Sequence, residues 1–139
     1  MPADAAAPIR LARPSRDLGA AEEFWVSGLG LDVLYRHAAD GTPGRSSLLM
    51  VGWRDAGWHL ELVHEPTAPV EPRPTAEDLL VVYTGEPVPD SLLERLERHG
   101  GKRVAAHHPY WDTWGVTVQD PDGYLLVLST RVWPNGPTG

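Results

Sequence analysis

Apolar residues recur along the chain with two periods, and the places where the period changes predict its elements. Ile9 to Ser15 reads as a strand whose apolar face is interrupted by Arg10 and Arg13. Leu18, Ala21, Phe24 and Trp25 then fall at helical spacing, with Asp17 or Ser15 placed to cap the first turn and Gly28 and Gly30 to end the helix. Leu31 to His37, Ser47 to Trp53 and Trp58 to His64 read as three further strands. Turn residues Asp40 to Gly44 and Asp55 to Gly57 separate them. Glu65 to Thr75 holds four prolines and predicts an extended linker. The order then repeats: a strand from Asp78 to Tyr83, a helix from Pro89-Asp90-Ser91 through Arg98, and Gly100-Gly101 closing it. A strand over Arg103 to Ala106 follows. Gly115 to Gln119 and Tyr124 to Ser129 flank the turn Asp120-Pro121-Asp122-Gly123 as a hairpin inside the sheet. Two β-α-β-β-β units, each of roughly 60 residues, point to an internal duplication.

Composition narrows the picture. The 139 residues suit one domain, 1–139, with module one over about 9–64, the linker over 65–77 and module two over about 78–133. A net charge of −7 disfavours nucleic acid, whose phosphates require a basic face. No apolar run is long enough to span a bilayer, so no membrane partner is expected. Met1 to Pro8 lacks the basic start and apolar centre of a secretory signal and reads as a short disordered tail, which leaves the cytoplasm as the default compartment. With no cysteine, disulfides, thiolate catalysis and cysteine zinc sites are excluded. Six tryptophans are more than one core of this size usually needs, so some are expected to line a pocket.

The hairpin Trp114-Gly115-x-Thr117-x-x-Asp120-Pro121-Asp122-Gly123-Tyr124-x-x-x-Leu128 resembles the last two strands of the vicinal oxygen chelate superfamily, which includes glyoxalase I, extradiol dioxygenases and bleomycin-resistance proteins. Arg13-Pro14-Ser15-Arg16-Asp17-Leu18, followed by Phe24-Trp25 and Gly28-Leu29-Gly30-Leu31, is similar to its opening strand and helix. The resemblance implies an α+β fold in which two tandem β-α-β-β-β modules form a half-open barrel with a ligand cleft, often across a homodimer interface. The superfamily's metal enzymes carry His or Glu on four strands. Here those positions match Arg10, Glu61, Asp78 or Leu79, and Val127. Arg10 repels a cation and Val127 offers no donor. A metal centre of the family type is therefore not expected, and no cofactor is called for.

Candidate chemistry is sparse. His59 and Glu61 stand two apart on one strand and share a face, either as a polar pair for a ligand or as ordinary polar residues of an exposed strand. His107-His108 precedes Pro109-Tyr110-Trp111 in an expected loop. Adjacent histidines of a strand would point apart, so solvent exposure is the favoured reading, with His108 within reach of the cleft mouth. Tyr110, Trp111 and Trp114 are candidate stacking surfaces, and Trp53 and Trp58 bracket a hairpin. Trp25, beside Phe24, is assigned to the core. No nucleophile elbow, dinucleotide fingerprint or phosphate loop is present. The reading favoured is non-catalytic binding and sequestration of a small aromatic molecule, as in bleomycin resistance, with a cationic group accommodated by Glu61. The alternative is an enzyme of the same fold, metal-dependent or using His59 and Glu61 as acid-base groups. A structural or interaction module is favoured only if side chains fill the cleft.

Overall fold

In the computed structural model, residues 3–136 are described. The expected tail begins with Met1 and Pro2, outside that range, while Asp4 to Ala7 close a turn in which Asp4 Oδ1 accepts the Ala6 N–H at 2.9 Å. Strand β1 (Ile9–Pro14) leads into helix α1 (Leu18–Glu22), and β2 (Asp32–His37), β3 (Ser47–Gly52) and β4 (Trp58–His64) follow. After the linker come β5 (Leu79–Tyr83), α2 (Asp90–Arg98), β6 (Lys102–Val104), a short α3 (Pro109–Thr113), β7 (Gly115–Gln119) and β8 (Leu125–Ser129). Each half forms its own four-stranded mixed sheet, in the orders β1-β4-β3-β2 and β5-β8-β7-β6. The first strand of each runs parallel to the last and the other pairs are antiparallel. The fold is thus α+β, two like modules whose sheets do not close into a barrel. Among the described residues, no helix is long and apolar enough to cross a membrane.

Asp17 is the cap: its backbone is extended and its Oδ1 accepts the Ala20 N–H at 3.1 Å. Beyond Glu22 the helix widens into a π-helical segment, Glu23–Gly28, where Leu29 N–H reaches back to Phe24 and Leu31 N–H to Trp25. The consecutive large rings of Phe24 and Trp25 are both buried there, edge to face at 4.9 Å. Helix α2 buries Leu93 and Leu96 against this segment. Gly28 permits the approach, since a Cβ there would stand 3.2 Å from Leu96, and its carbonyl accepts from Arg95 Nε at 2.7 Å. Leu49, Val51, Leu60 and Leu62 of one sheet and Val118, Leu126 and Leu128 of the other join the same cluster. One core therefore spans both modules.

The sequence expectation for two regions is corrected. Residues 109–113, expected as loop, form α3, with Pro109 at its first turn where a missing N–H costs nothing. The sixth strand begins at Lys102 and ends at Val104, earlier than expected, because pairing with Thr117 to Gln119 fixes its extent. The Asp120–Gly123 turn also does more than reverse the chain. Asp120 Oδ1 accepts the N–H of Asp122 and Tyr124, at 2.9 and 2.8 Å, and Gly123 takes a φ of 94° that only glycine adopts freely. Asp122 Oδ1 accepts the N–H of Arg16, from the β1–α1 connection, at 2.9 Å. The Arg16 guanidinium donates to the Asp122 and Pro72 carbonyls and pairs with Glu71 at 2.9 Å. Turn, linker and first module are tied together at this one arginine.

Candidate functional site

Alternation along β4 sends Leu60 and Leu62 into the core and His59, Glu61 and Val63 to the opposite face. The register sets Arg10 beside His59, Ala12 beside Glu61, Met50 across from Glu61 and Tyr35 across from Met50. On this face Arg10 Nε donates to His59 Nε2 at 3.0 Å, and its Nη1 stands 3.3 Å from Glu61 Oε2. Its Nη2 lies 3.7 Å from the Met50 sulfur. An arginine can only donate, so His59 accepts at Nε2 and carries its proton on Nδ1 when neutral. The Glu61 side chain is only 15% exposed while that of Arg10 is half exposed. The guanidinium thus covers the carboxylate from the solvent side. Beyond it, at the C-terminal ends of β1 and β4, a cavity of about 250 Å³ is lined by Ala12, Pro14, Ser46, Val63, Glu65 and Val70.

The metal positions can be tested on this donor set. Arg10 and Glu61 are joined in an ion pair, the β5 position falls on Leu79, and Val127 is fully buried. Asp78 precedes the strand and spends Oδ2 on the N–H and hydroxyl of Thr75, at 2.6 and 2.9 Å, which holds its carboxyl below the usual range. One donor of four, already capped by a guanidinium, does not fit a divalent ion.

The second module presents a different wall. Thr117, Val127 and Ser129 lie on the face away from the core yet are buried, and α3 packs along β7. On α3, Trp111 is half-buried with Tyr110 edge-on at 5.0 Å. Trp114, at the start of β7, is 40% exposed, and the Arg131 guanidinium sits over its ring at 4.5 Å. Trp53 lies on the β3–β4 connection, edge to face with Trp58 at 6.0 Å, and Trp25 is in the core. His108 stands at the N-cap position of α3 with its ring turned away from the helix, Nε2 2.7 Å from Glu77 Oε1, and His107 Nε2 is 3.9 Å from the same oxygen.

Three clusters therefore contain the expected residues other than Trp53, which pairs with Trp58: Arg10-His59-Glu61, Tyr110-Trp111-Trp114 with Arg131, and Glu77-His107-His108. Among the described residues no side-chain hydrogen bond, ion pair or aromatic contact links one cluster to another, and the Trp111 N–H to the His108 carbonyl, at 3.1 Å, joins the last two through the backbone alone. Sequence reasoning missed Tyr35, Met50 and Glu77. Alternation from Glu61 across the β3 and β2 register would have found the first two. A fourth group lies between the modules: buried Arg13 stacks over the Tyr124 ring at 4.4 Å, beside Asp120, whose carboxyl burial pushes up to about 6.

Comparison with known proteins follows the same division. A model of the YycE-like N-terminal domain matches residues 9–63 and one of the YycE-like C-terminal domain matches residues 77–130. The YycE protein of Bacillus subtilis is 33% identical over 125 residues, 88% of this chain and 87% of that one. A crystal structure of a YycE protein from Bacillus subtilis superposes with a TM-score of 0.81 at 30% identity, covering 95% of each chain. TnmS3, an antibiotic binding protein from Streptomyces sp. CB03234, matches with a TM-score of 0.60 at 24% identity, over 95% of this chain and 100% of that one. Leishmania major glyoxalase I matches with 0.66 at 18%, over 88% and 84%. The last two show a shared fold alone.

Proposed function

The chain belongs to the YycE-like family, on the two-module fold of glyoxalases and bleomycin-resistance proteins, and from that premise we propose that it binds a small aromatic molecule without transforming it. The observation that carries this reading is the Arg10–Glu61–His59 network on the open face of the first sheet. Arg10 neutralises the carboxylate that a metal or a general-base mechanism would use, and it occupies the His59 lone pair at Nε2. What remains is a polar, internally paired floor beside a small cavity lined largely by apolar side chains, suited to holding a ring rather than to moving protons. Half-buried Met50 and exposed Tyr35 on this face add polarisable and aromatic surface. A cationic group on the ligand would compete with Arg10 for Glu61. Trp111 and Trp114 belong to the proposed site as stacking surfaces, the latter after Arg131 moves off its ring. Tyr110, Trp53 and His108 are secondary members. The same reading includes a two-fold dimer, argued below.

The test is a tryptophan-fluorescence titration with a panel of polycyclic aromatic and glycopeptide antibiotics, with mass spectrometry of the recovered ligand. Saturable binding with the ligand recovered intact is expected. Trp111→Ala and Trp114→Ala should each weaken it by about fivefold, since losing a stacking ring costs at least ~1 kcal/mol. A ligand recovered chemically altered would favour the enzyme reading. Unchanged affinity in both folded variants would remove the two indoles from the site.

A further inference from the structure

We propose that Glu77, His107 and His108 form a binding site for one divalent transition-metal ion of the zinc or nickel type, away from the four strand positions tested above. The inference is independent of aromatic binding on the first sheet. His108 Nε2 stands 2.7 Å and His107 Nε2 3.9 Å from Glu77 Oε1, and one donor atom from each residue lies within 4.8 Å of the other two. Zinc–nitrogen bonds of about 2.0 Å set tetrahedral donors roughly 3.3 Å apart, between those two separations. Because all three side chains are exposed, small rotations are enough to close on an ion.

The backbone on both sides is fixed. Glu77 sits in a turn where its N–H donates to Thr75 Oγ1 at 3.2 Å and its carbonyl accepts from Leu79 N–H at 3.1 Å, the first residue of β5. On the other side Asp112 accepts the Ala106 N–H with both oxygens, at 3.0 and 3.2 Å, and Trp111 N–H bonds the His108 carbonyl at 3.1 Å. The two histidines occupy the bend between these ties. Their rings therefore come together, with centroids 4.8 Å apart, instead of pointing apart as they would in a strand. Two imidazoles and one carboxylate suit a borderline ion; magnesium and calcium require more oxygens than one glutamate supplies. Three protein ligands leave a fourth position open. Glu77 also lines a cavity of about 350 Å³ together with Arg13, Asp78, Leu79 and Tyr124, which adjoins the proposed site through that one residue.

The experiment uses the full chain, stripped with a chelator and titrated with zinc chloride and nickel chloride by calorimetry. One equivalent per chain is expected. Glu77→Gln, His107→Ala and His108→Ala should each lower affinity by at least ~10-fold, as losing a group that shapes a metal site commonly does. His37→Ala and His99→Ala, on histidines outside the cluster, should leave it unchanged. Cobalt(II) should give the visible absorption of a four-coordinate ion in the wild type and lose it in His108→Ala. Failure to reach one equivalent would overturn the proposal, as would binding that survives all three cluster variants or is lost equally in the two controls.

Discussion

Asp120 stands almost entirely buried, with two backbone N–H donors on one oxygen and Arg13 nearby, and burial still outweighs them, pushing its carboxyl up to about 6. The sign of the consequence follows from proton linkage. The folded state holds this proton more tightly than the unfolded chain, so the contribution to stability is full below about pH 4 and is lost as pH rises through about 6. Asp120→Asn removes that dependence. In urea unfolding at pH 4.5 and pH 7, the wild type should lose stability relative to the variant, by about 2 kcal/mol between those two values. Parallel behaviour of the two proteins would mean an unperturbed carboxyl. Other residues divide by whether their surroundings are local. His59 and Glu61 opposite the core were legible because alternation within one strand decides it, and Trp25 in the core because helical spacing does. The reach of Arg10 to both was not, since it depends on β1 pairing in parallel with a strand 49 residues away. Glu77 beside two histidines was hidden for a related reason: a bend cancels the alternation that would have separated them.

Among the elements, the Asp120–Gly123 turn shows how a local signal acquires a long-range role. Its chemistry as a turn was readable from Pro and Gly, whereas the acceptance of Arg16 N–H by Asp122 joins residues 106 apart and has no local signature. Asp122→Ala leaves the part-buried Arg16 N–H without its partner, while the Arg16 guanidinium keeps the Asp122 and Pro72 carbonyls and Glu71. A loss of about 1–3 kcal/mol is expected in the urea midpoint. A change below a few tenths would show that water replaces the carboxylate. The order of the eight strands and of helices α1 and α2 was legible because each amphipathic face repeats over several residues. The π-helical widening at Phe24 and Trp25 was not, because it answers the demand to bury two adjacent rings in a core shared with α2. Helix α3 is only five residues long, too short for periodicity to register, although Pro109 marks its start.

At the scale of the whole molecule, one core joins the modules while the two sheets remain open at their edges. Those edges are unequal. Strand β6 carries Lys102 and Arg103, charges that discourage pairing with another chain, whereas β1 exposes Ile9 at 66% and Leu11 at 44%. Both residues lie in register with Trp58 and Leu60, on the face that the core covers further along the sheet, but the covering ends before it reaches them. An apolar strip on an unclosed sheet is most economically covered by the same strip of a second copy, which a two-fold axis supplies twice in one interface. The expected assembly is therefore a homodimer burying in total about 1,200–2,000 Å². Sedimentation equilibrium at micromolar concentration should return twice the chain mass. Leu11→Asp, at an exposed position outside the core cluster, should shift it toward monomer while leaving the circular dichroism of the folded chain unchanged. A wild type that sediments as a monomer would leave β1 as a free edge. The modules would then have to complete any cleft within one chain.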